Sequence, residues 1–195
     1  MRFFLVTAAF AFLVSCAGYP SMALAQATQF RGHAEIEKIL SHRLAPADKP
    51  LTLLPYVGNQ YGLLNLLGSW AQSGGVSVFS NGLPNAVNML IWYSSLHGIA
   101  KDLGAKCTQS NGLAINAEFA KTLQTICAWP ADSAKSESTM LAFWLGIMDY
   151  SAPEEEFQAW RAFFLNSSYQ NKSAGETVSA MSLSILMSPF LLLQN

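Results

Sequence analysis

The sequence predicts an all-α fold, a single domain built as an orthogonal or bundle-like array of about six helices and preceded by a signal peptide. Three observations lead to this prediction. Apolar residues recur at alternating three- and four-residue steps through much of the chain. Two Ser-x-x-Glu capping boxes, at residues 151–154 and 173–176, a capping Asn116, and proline and glycine stops divide these stretches into helices. Only residues 76–79 form an extended segment.

The first 25 residues have the pattern of a secretory signal peptide. A basic Arg2 precedes an apolar run over residues 3–14, and Pro20 stands before an Ala23-x-Ala25 cleavage site. The run is shorter than the about 20 residues that a membrane-spanning helix needs. Cleavage therefore leaves residues 26–195 as one domain in a bacterial periplasm or outside the cell.

A second interpretation of this segment is a lipoprotein signal. Residues 13–16 match the bacterial lipobox, in which Cys16 would be lipidated and become the mature N-terminus. Contact with a membrane is expected only in this case, as an outer-membrane lipoprotein. Either route removes Cys16 from disulfide pairing.

The two remaining cysteines, Cys107 and Cys127, are predicted to form a disulfide, because an exported chain matures in an oxidising compartment. The bond would close a loop of about 20 residues and contribute about 3 kcal/mol in the chain-entropy model. The alternative is two buried thiols.

The charge of the chain is low and nearly balanced. Eleven Lys and Arg residues face twelve Asp and Glu residues, and charged residues make up 12% of the sequence, whereas about a quarter is typical of soluble domains. The lack of a basic run argues against a nucleic-acid partner, whose phosphates require a positive surface. The low charge indicates a large core or a surface that forms an interface.

Each predicted element has a local justification. The first helix is predicted from charges on one side and apolar residues on the other. Prolines interrupt the helical pattern over residues 45–58. Caps or stops delimit the later helices. The predicted helices cover residues 29–44, 61–70, 84–104, 116–127, 136–150, 153–166 and 174–187.

The helix of residues 84–104 is the longest and has two distinct sides. Large apolar side chains form one stripe, at Met89, Trp92, Leu96, Ile99 and Leu103. The flanking side is less apolar and carries two small residues four positions apart, Ser94 and Gly98. This flank predicts close packing of another helix.

The same flank holds the residue types of a nucleophilic triad. Ser94 or Ser95, His97 and Asp102 lie within nine residues of one another. Ser95 and Asp102 are two turns apart on a helix, about 10 Å, whereas a triad requires direct hydrogen bonds. The sequence also lacks a G-x-S-x-G elbow. We therefore favour a helix contact over a catalytic site.

Metal and acid–base chemistry receive little support. His33 and Glu37 are spaced as a metal-binding pair, but no third ligand is near them in the sequence. A site that combines His33, His42 and His97 with a carboxylate is possible in three dimensions but has no local ligand motif. The three glutamates at 154–156 are best explained by the positive end of a helix dipole. We predict no metal site and no cofactor.

The C-terminal residues AMSLSILMSPFLLLQN combine a helix with a Ser-Pro stop and an apolar end. This ending resembles secreted bacterial helical domains of unknown function that are found beside c-type cytochrome modules. The resemblance implies an exported helical domain. The sequence has no Cys-x-x-Cys-His, so no haem ligand is carried over. The apolar tail itself should be buried or covered by a protein partner.

Two functional hypotheses follow. The first is an exported, non-catalytic helical protein that acts as an accessory or binding subunit of the envelope. The second is a small periplasmic hydrolase or metalloenzyme that uses His97 with a nearby carboxylate. The signal peptide, low charge and apolar tail favour the first.

Overall fold

The structure is a computed structural model that describes residues 29–30, 33–57, 86–109, 113–148, 153–166 and 168–194. The predictions for the signal peptide, for lipidation at Cys16, for the helix at 61–70 and for the extended segment at 76–79 lie outside the described residues.

The described part of the chain is helical, as predicted. Its α-helices are α1 (His33–Leu44), α2 (Leu54–Val57), α3 (Ala86–Ala105), α4 (Ala117–Ile126), α5 (Asp132–Lys135), α6 (Glu137–Ile147), α7 (Glu154–Asn166), α8 (Ala174–Leu186) and α9 (Pro189–Leu192), with a 3-10 turn at Ser168–Asn171 between α7 and α8.

One short pair of strands departs from the all-helical pattern. Strand β1 (Gln29–Phe30) pairs antiparallel with β2 (Leu193–Gln194), in the register Gln29 to Gln194 and Phe30 to Leu193. The prediction that the first helix begins at residue 29 is therefore wrong, because the backbone there pairs with the distant C-terminal strand.

Helices α3 and α8 pack most closely. A Cβ atom on Gly104, near the end of α3, would collide with the carbonyl oxygen of Gly175 in the first turn of α8 and lie 2.9 Å from the Cβ atom of Ser179. Glycine at 104 is thus required by the approach of two backbones. The apolar stripe of α3 is confirmed as core at Trp92, Leu96, Ile99 and Leu103, while the side chain of Met89 lies outside the description.

Polar caps fix the ends of the helices. Asn116 caps α4 by accepting the Phe119 N–H at 2.8 Å, and its side-chain amide donates to the carbonyl of Arg43 at 2.7 Å, which joins the cap to the end of α1. Ser173 and Glu176 form the predicted capping box of α8. The capping box predicted at Ser151 lies outside the described residues.

The predicted disulfide between Cys107 and Cys127 is present, with Cα atoms 5.1 Å apart. Cys107 follows α3 and Cys127 caps the C-terminal end of α4. The start of α4 is held elsewhere, since the N–H of Asn116 donates to the carbonyl of Leu44 at 2.7 Å. The bond therefore ties the ends of the two helices together.

Aromatic side chains form the core between α6, α7 and α8. Trp144 contacts Trp160 edge to face at 5.2 Å between ring centroids, and Trp160 contacts Phe164 at 5.3 Å. The indole N–H of Trp160 donates to the hydroxyl of Ser184 on α8 at 2.8 Å. Each of these three aromatic side chains is nearly fully buried.

The apolar tail also enters this core. Leu191 and Leu192 of α9 are 1% and 3% exposed. Their amide groups donate to the carbonyl of Ser188 at 3.0 and 3.2 Å, so the tail forms a separate helical turn after α8. These two side chains are covered by the chain itself.

Candidate functional site

The polar flank of α3 is the surface where the sequence predicts either a catalytic site or a contact with another helix. The residues of this flank differ in their exposure to solvent. Ser94 and His97 are exposed, Ser95 is completely buried, and Asp102 is half-buried. Successive residues of an α-helix are rotated by about 100°, so positions 95 and 97 point to well-separated sides. The helix does not bring Ser95 and His97 together.

His97 lies at the surface with an aromatic neighbour. Its ring stacks on that of Tyr93, one turn earlier, with centroids 5.5 Å apart and planes inclined by 6°. Within the described residues, no carboxylate forms a hydrogen bond or an ion pair with His97. A catalytic triad needs an acid that fixes the tautomer and orientation of the imidazole. The neighbour of His97 is instead the ring of Tyr93, which packs against the imidazole but is not a carboxylate.

Asp102 is engaged by a residue far away in the sequence. The phenol of Tyr56, in the short helix α2, donates to its carboxylate at 2.8 Å. Burial raises the pKa of the Tyr56 phenol, and the hydrogen bond and negative charge of Asp102 raise it further. This carboxylate therefore anchors α2 on α3.

Gly98 completes the contact with α2. A Cβ atom at this position would overlap the ring of Tyr56, 3.2 Å from both Cβ and Cγ. The predicted helix contact is therefore present at Gly98 and Asp102. It does not extend to Ser94 and His97, which are exposed.

No metal centre is formed by the described side chains: they contain no group of three or more His, Cys, Asp or Glu residues close enough to hold an ion. The carboxylate of Glu37, half of the pair considered with His33, accepts the N–H of Leu53 at 2.7 Å. His42 is exposed at the end of α1, and the side chain of His33 lies outside the description.

A polar contact that sequence reasoning missed joins α7 to the C-terminal segment. Glu156, in the first turn of α7, is half-buried and accepts a long hydrogen bond of 3.5 Å from the hydroxyl of Ser188. Burial raises the pKa of this carboxyl, and the hydrogen bond from Ser188 opposes part of that effect. Glu154 and Glu155 are exposed, as expected of solvated residues at a helix start, whereas Glu156 is partly removed from solvent.

Comparisons with protein-family models, with curated proteins and with solved structures found no match to this chain. None of the described helices combines the length and apolar character that a membrane crossing requires. The functional assignment therefore depends on the residues themselves.

Proposed function

We propose that the chain is an exported helical protein that acts without catalysis, as an accessory or binding subunit of a bacterial envelope. It is made with a signal peptide of residues 1–25 and works in the periplasm or outside the cell. Its role is to present a rigid, disulfide-braced surface to a protein partner.

The Cys107–Cys127 disulfide is the observation that carries this proposal. Disulfides persist in oxidising compartments and are rare in the cytosol, where thiols are kept reduced. The bond is compatible with export, and it joins the end of α3 to the C-terminal end of α4. The apolar N-terminal run and Ala23-x-Ala25 support the same compartment.

Large apolar side chains on the surface support a binding role. Tyr93, Leu141 and Phe163 are 44%, 37% and 44% exposed, on helices α3, α6 and α7. Aromatic side chains are enriched at the centres of protein interfaces. The residues considered for a catalytic triad also favour a role without catalysis, because Ser95 is buried and Asp102 accepts a hydrogen bond from Tyr56.

Mass spectrometry of the protein from its native host tests the export step. We expect a chain that begins at Gln26 and does not react with a thiol reagent unless it is first reduced. A diacylated chain that begins at Cys16 would replace ordinary cleavage by the lipoprotein route. An uncleaved chain with free thiols would contradict export.

Native electrophoresis of the solubilised envelope fraction tests the binding step. We expect a complex larger than the monomer, which is weakened by Tyr93→Ser or Phe163→Ser and unchanged by Gln124→Ser, a control at an exposed polar position of α4. A single monomeric species, unchanged by all three substitutions, would contradict the proposed role.

A further inference from the structure

The side of α7 that faces away from the core carries a short apolar stripe. Five exposed residues of this helix are spaced three or four positions apart and therefore lie on one side of it: Glu155, Ala159, Ala162, Phe163 and Asn166. The middle of the stripe consists of two methyl groups and a phenyl ring. Arg161 lies on another side of the helix, where it pairs with Glu137 of α6.

The ring of Phe163 is held at the surface by its neighbours. It is 44% exposed. It contacts the buried ring of Phe164 edge to face, with 5.1 Å between centroids, and the ring of Tyr169 in the following 3-10 turn at 6.0 Å. Because these contacts already restrict the ring, binding to another surface would cost little side-chain entropy.

Opposite charges stand at the two ends of the stripe. Glu155 is exposed in the first turn of α7, and Lys172 is exposed in the turn that follows the helix. The N–H of Lys172 donates to the carbonyl of Tyr169 at 3.1 Å, so this lysine belongs to the turn whose tyrosine ring contacts Phe163. Within the described residues, neither Glu155 nor Lys172 forms an ion pair. Both charges are therefore available to a binding partner.

This pattern is complementary to itself. In a two-fold dimer, each contact between two different residues occurs twice, once in each direction. Two antiparallel α7 helices that cross midway between Ala159 and Phe163 would place Phe163 of each copy over Ala159 of the other. The same arrangement brings Glu155 of each copy near Lys172 of the other. The small alanine side chains leave room for the ring between helices packed about 8–10 Å apart.

We propose that α7 is the contact surface of a homodimer, in which two α7 helices pair antiparallel around a two-fold axis. This inference rests on the proposed binding role and names a second copy of the chain as the partner. Helix α7 has 13 residues and is therefore about 20 Å long. A contact of that length and one helix wide is smaller than a standard interface of about 1,600 Å². The dimer should therefore be reversible and form as the concentration rises.

Sedimentation equilibrium of the mature, disulfide-bonded protein over a wide range of concentrations tests the dimer. We expect a monomer at low concentration and a dimer at high concentration. Ala159→Arg places a long charged side chain at the centre of the contact and should abolish the dimer. Ala142→Arg, at an exposed alanine of α6, is the matched control and should leave it unchanged. Circular dichroism should show the same helix content in both variants, because both positions are exposed.

Charge reversal tests the antiparallel arrangement. An exposed ion pair shifts an equilibrium by up to about fivefold, and the two-fold axis provides two such pairs. Lys172→Glu should therefore raise the dissociation constant of the dimer by about tenfold, and combination with Glu155→Lys should restore it. High salt should reduce the difference between the wild type and Lys172→Glu, because it screens exposed charges.

Two results would overturn the inference: a monomer at every concentration, or a dimer that Ala159→Arg leaves intact. A double charge variant that dimerises no better than Lys172→Glu would contradict the antiparallel arrangement. The proposed binding role fails by a different result, since native electrophoresis of the envelope fraction detects any protein partner. A large complex there, together with a purified protein that stays monomeric, would keep the binding role and reject a second copy as the partner.

Discussion

Replacement of Gly104 by alanine is the most direct test of the packing between α3 and α8. The new methyl group would meet the carbonyl oxygen of Gly175, a backbone atom that cannot move unless the whole helix moves. Overpacking of this kind costs about 1–3 kcal/mol. Alanine favours a helix over glycine by at most about 1 kcal/mol. The net expectation is a loss of about 1–2 kcal/mol in the free energy of unfolding.

Two further alanine variants serve as comparisons for the loss of stability in Gly104→Ala. At Gly175 the new methyl group would lie 3.0 Å from the carbonyl oxygen of Gly104, so the loss should be smaller than for Gly104→Ala. Ser94 is exposed on the same helix and should change stability by less than about 0.5 kcal/mol.

Urea unfolding of the oxidised protein, followed by circular dichroism, measures all three variants. The urea midpoint should be lowest for Gly104→Ala, intermediate for Gly175→Ala and highest for Ser94→Ala. The denaturant slope should stay constant, because the surface area that unfolding exposes is unchanged. If Gly104→Ala is as stable as Ser94→Ala, the backbones of α3 and α8 do not meet at this point and the described packing is wrong.

Three further outcomes are expected. Replacement of Cys107 and Cys127 by serine should lower the free energy of unfolding by about 3 kcal/mol in the chain-entropy model, and a reductant should no longer affect the unfolding midpoint of this variant; an undiminished midpoint would contradict the brace between the helix ends. Asn116→Ala removes the cap of α4 and a bond to α1 and should cost about 1–2 kcal/mol in urea unfolding, and a neutral result would contradict that double role. The raised pKa of Tyr56 stabilises the fold fully below the unfolded pKa and is lost as the pH rises through the folded value, so ultraviolet titration should show one tyrosine that ionises later than the others, with a smaller delay in Asp102→Asn.

Features that depend on neighbouring residues could be predicted from the sequence. Asn116 and Ser173 were predicted as caps because their hydrogen bonds reach only three residues ahead. The stripe from Trp92 to Leu103 could be predicted because a helix places every third or fourth residue on one side. The disulfide followed from an even number of cysteines in an exported chain.

Features that join distant segments could not be predicted. Tyr56 and Asp102 are 46 positions apart, and no local pattern links a tyrosine of a four-residue helix to a carboxylate on another helix. The contact of Gly104 with Gly175 has the same origin, since either glycine alone has the pattern of an ordinary helix terminus. Glu156 is half-buried and accepts a hydrogen bond from the distant Ser188, whereas its position in the sequence suggests a solvated helix start.

The pairing of β1 with β2 has a consequence for the order in which the molecule is assembled. A ribosome makes the chain from its N-terminus, so Gln29 and Phe30 are made long before their partners Leu193 and Gln194. Helices and their caps can form as soon as their own residues are available, but contacts of such high sequence separation form late and slowly. Strand β1 therefore has no partner until β2 has been made, and this strand pair closes after the helices between its two strands can form.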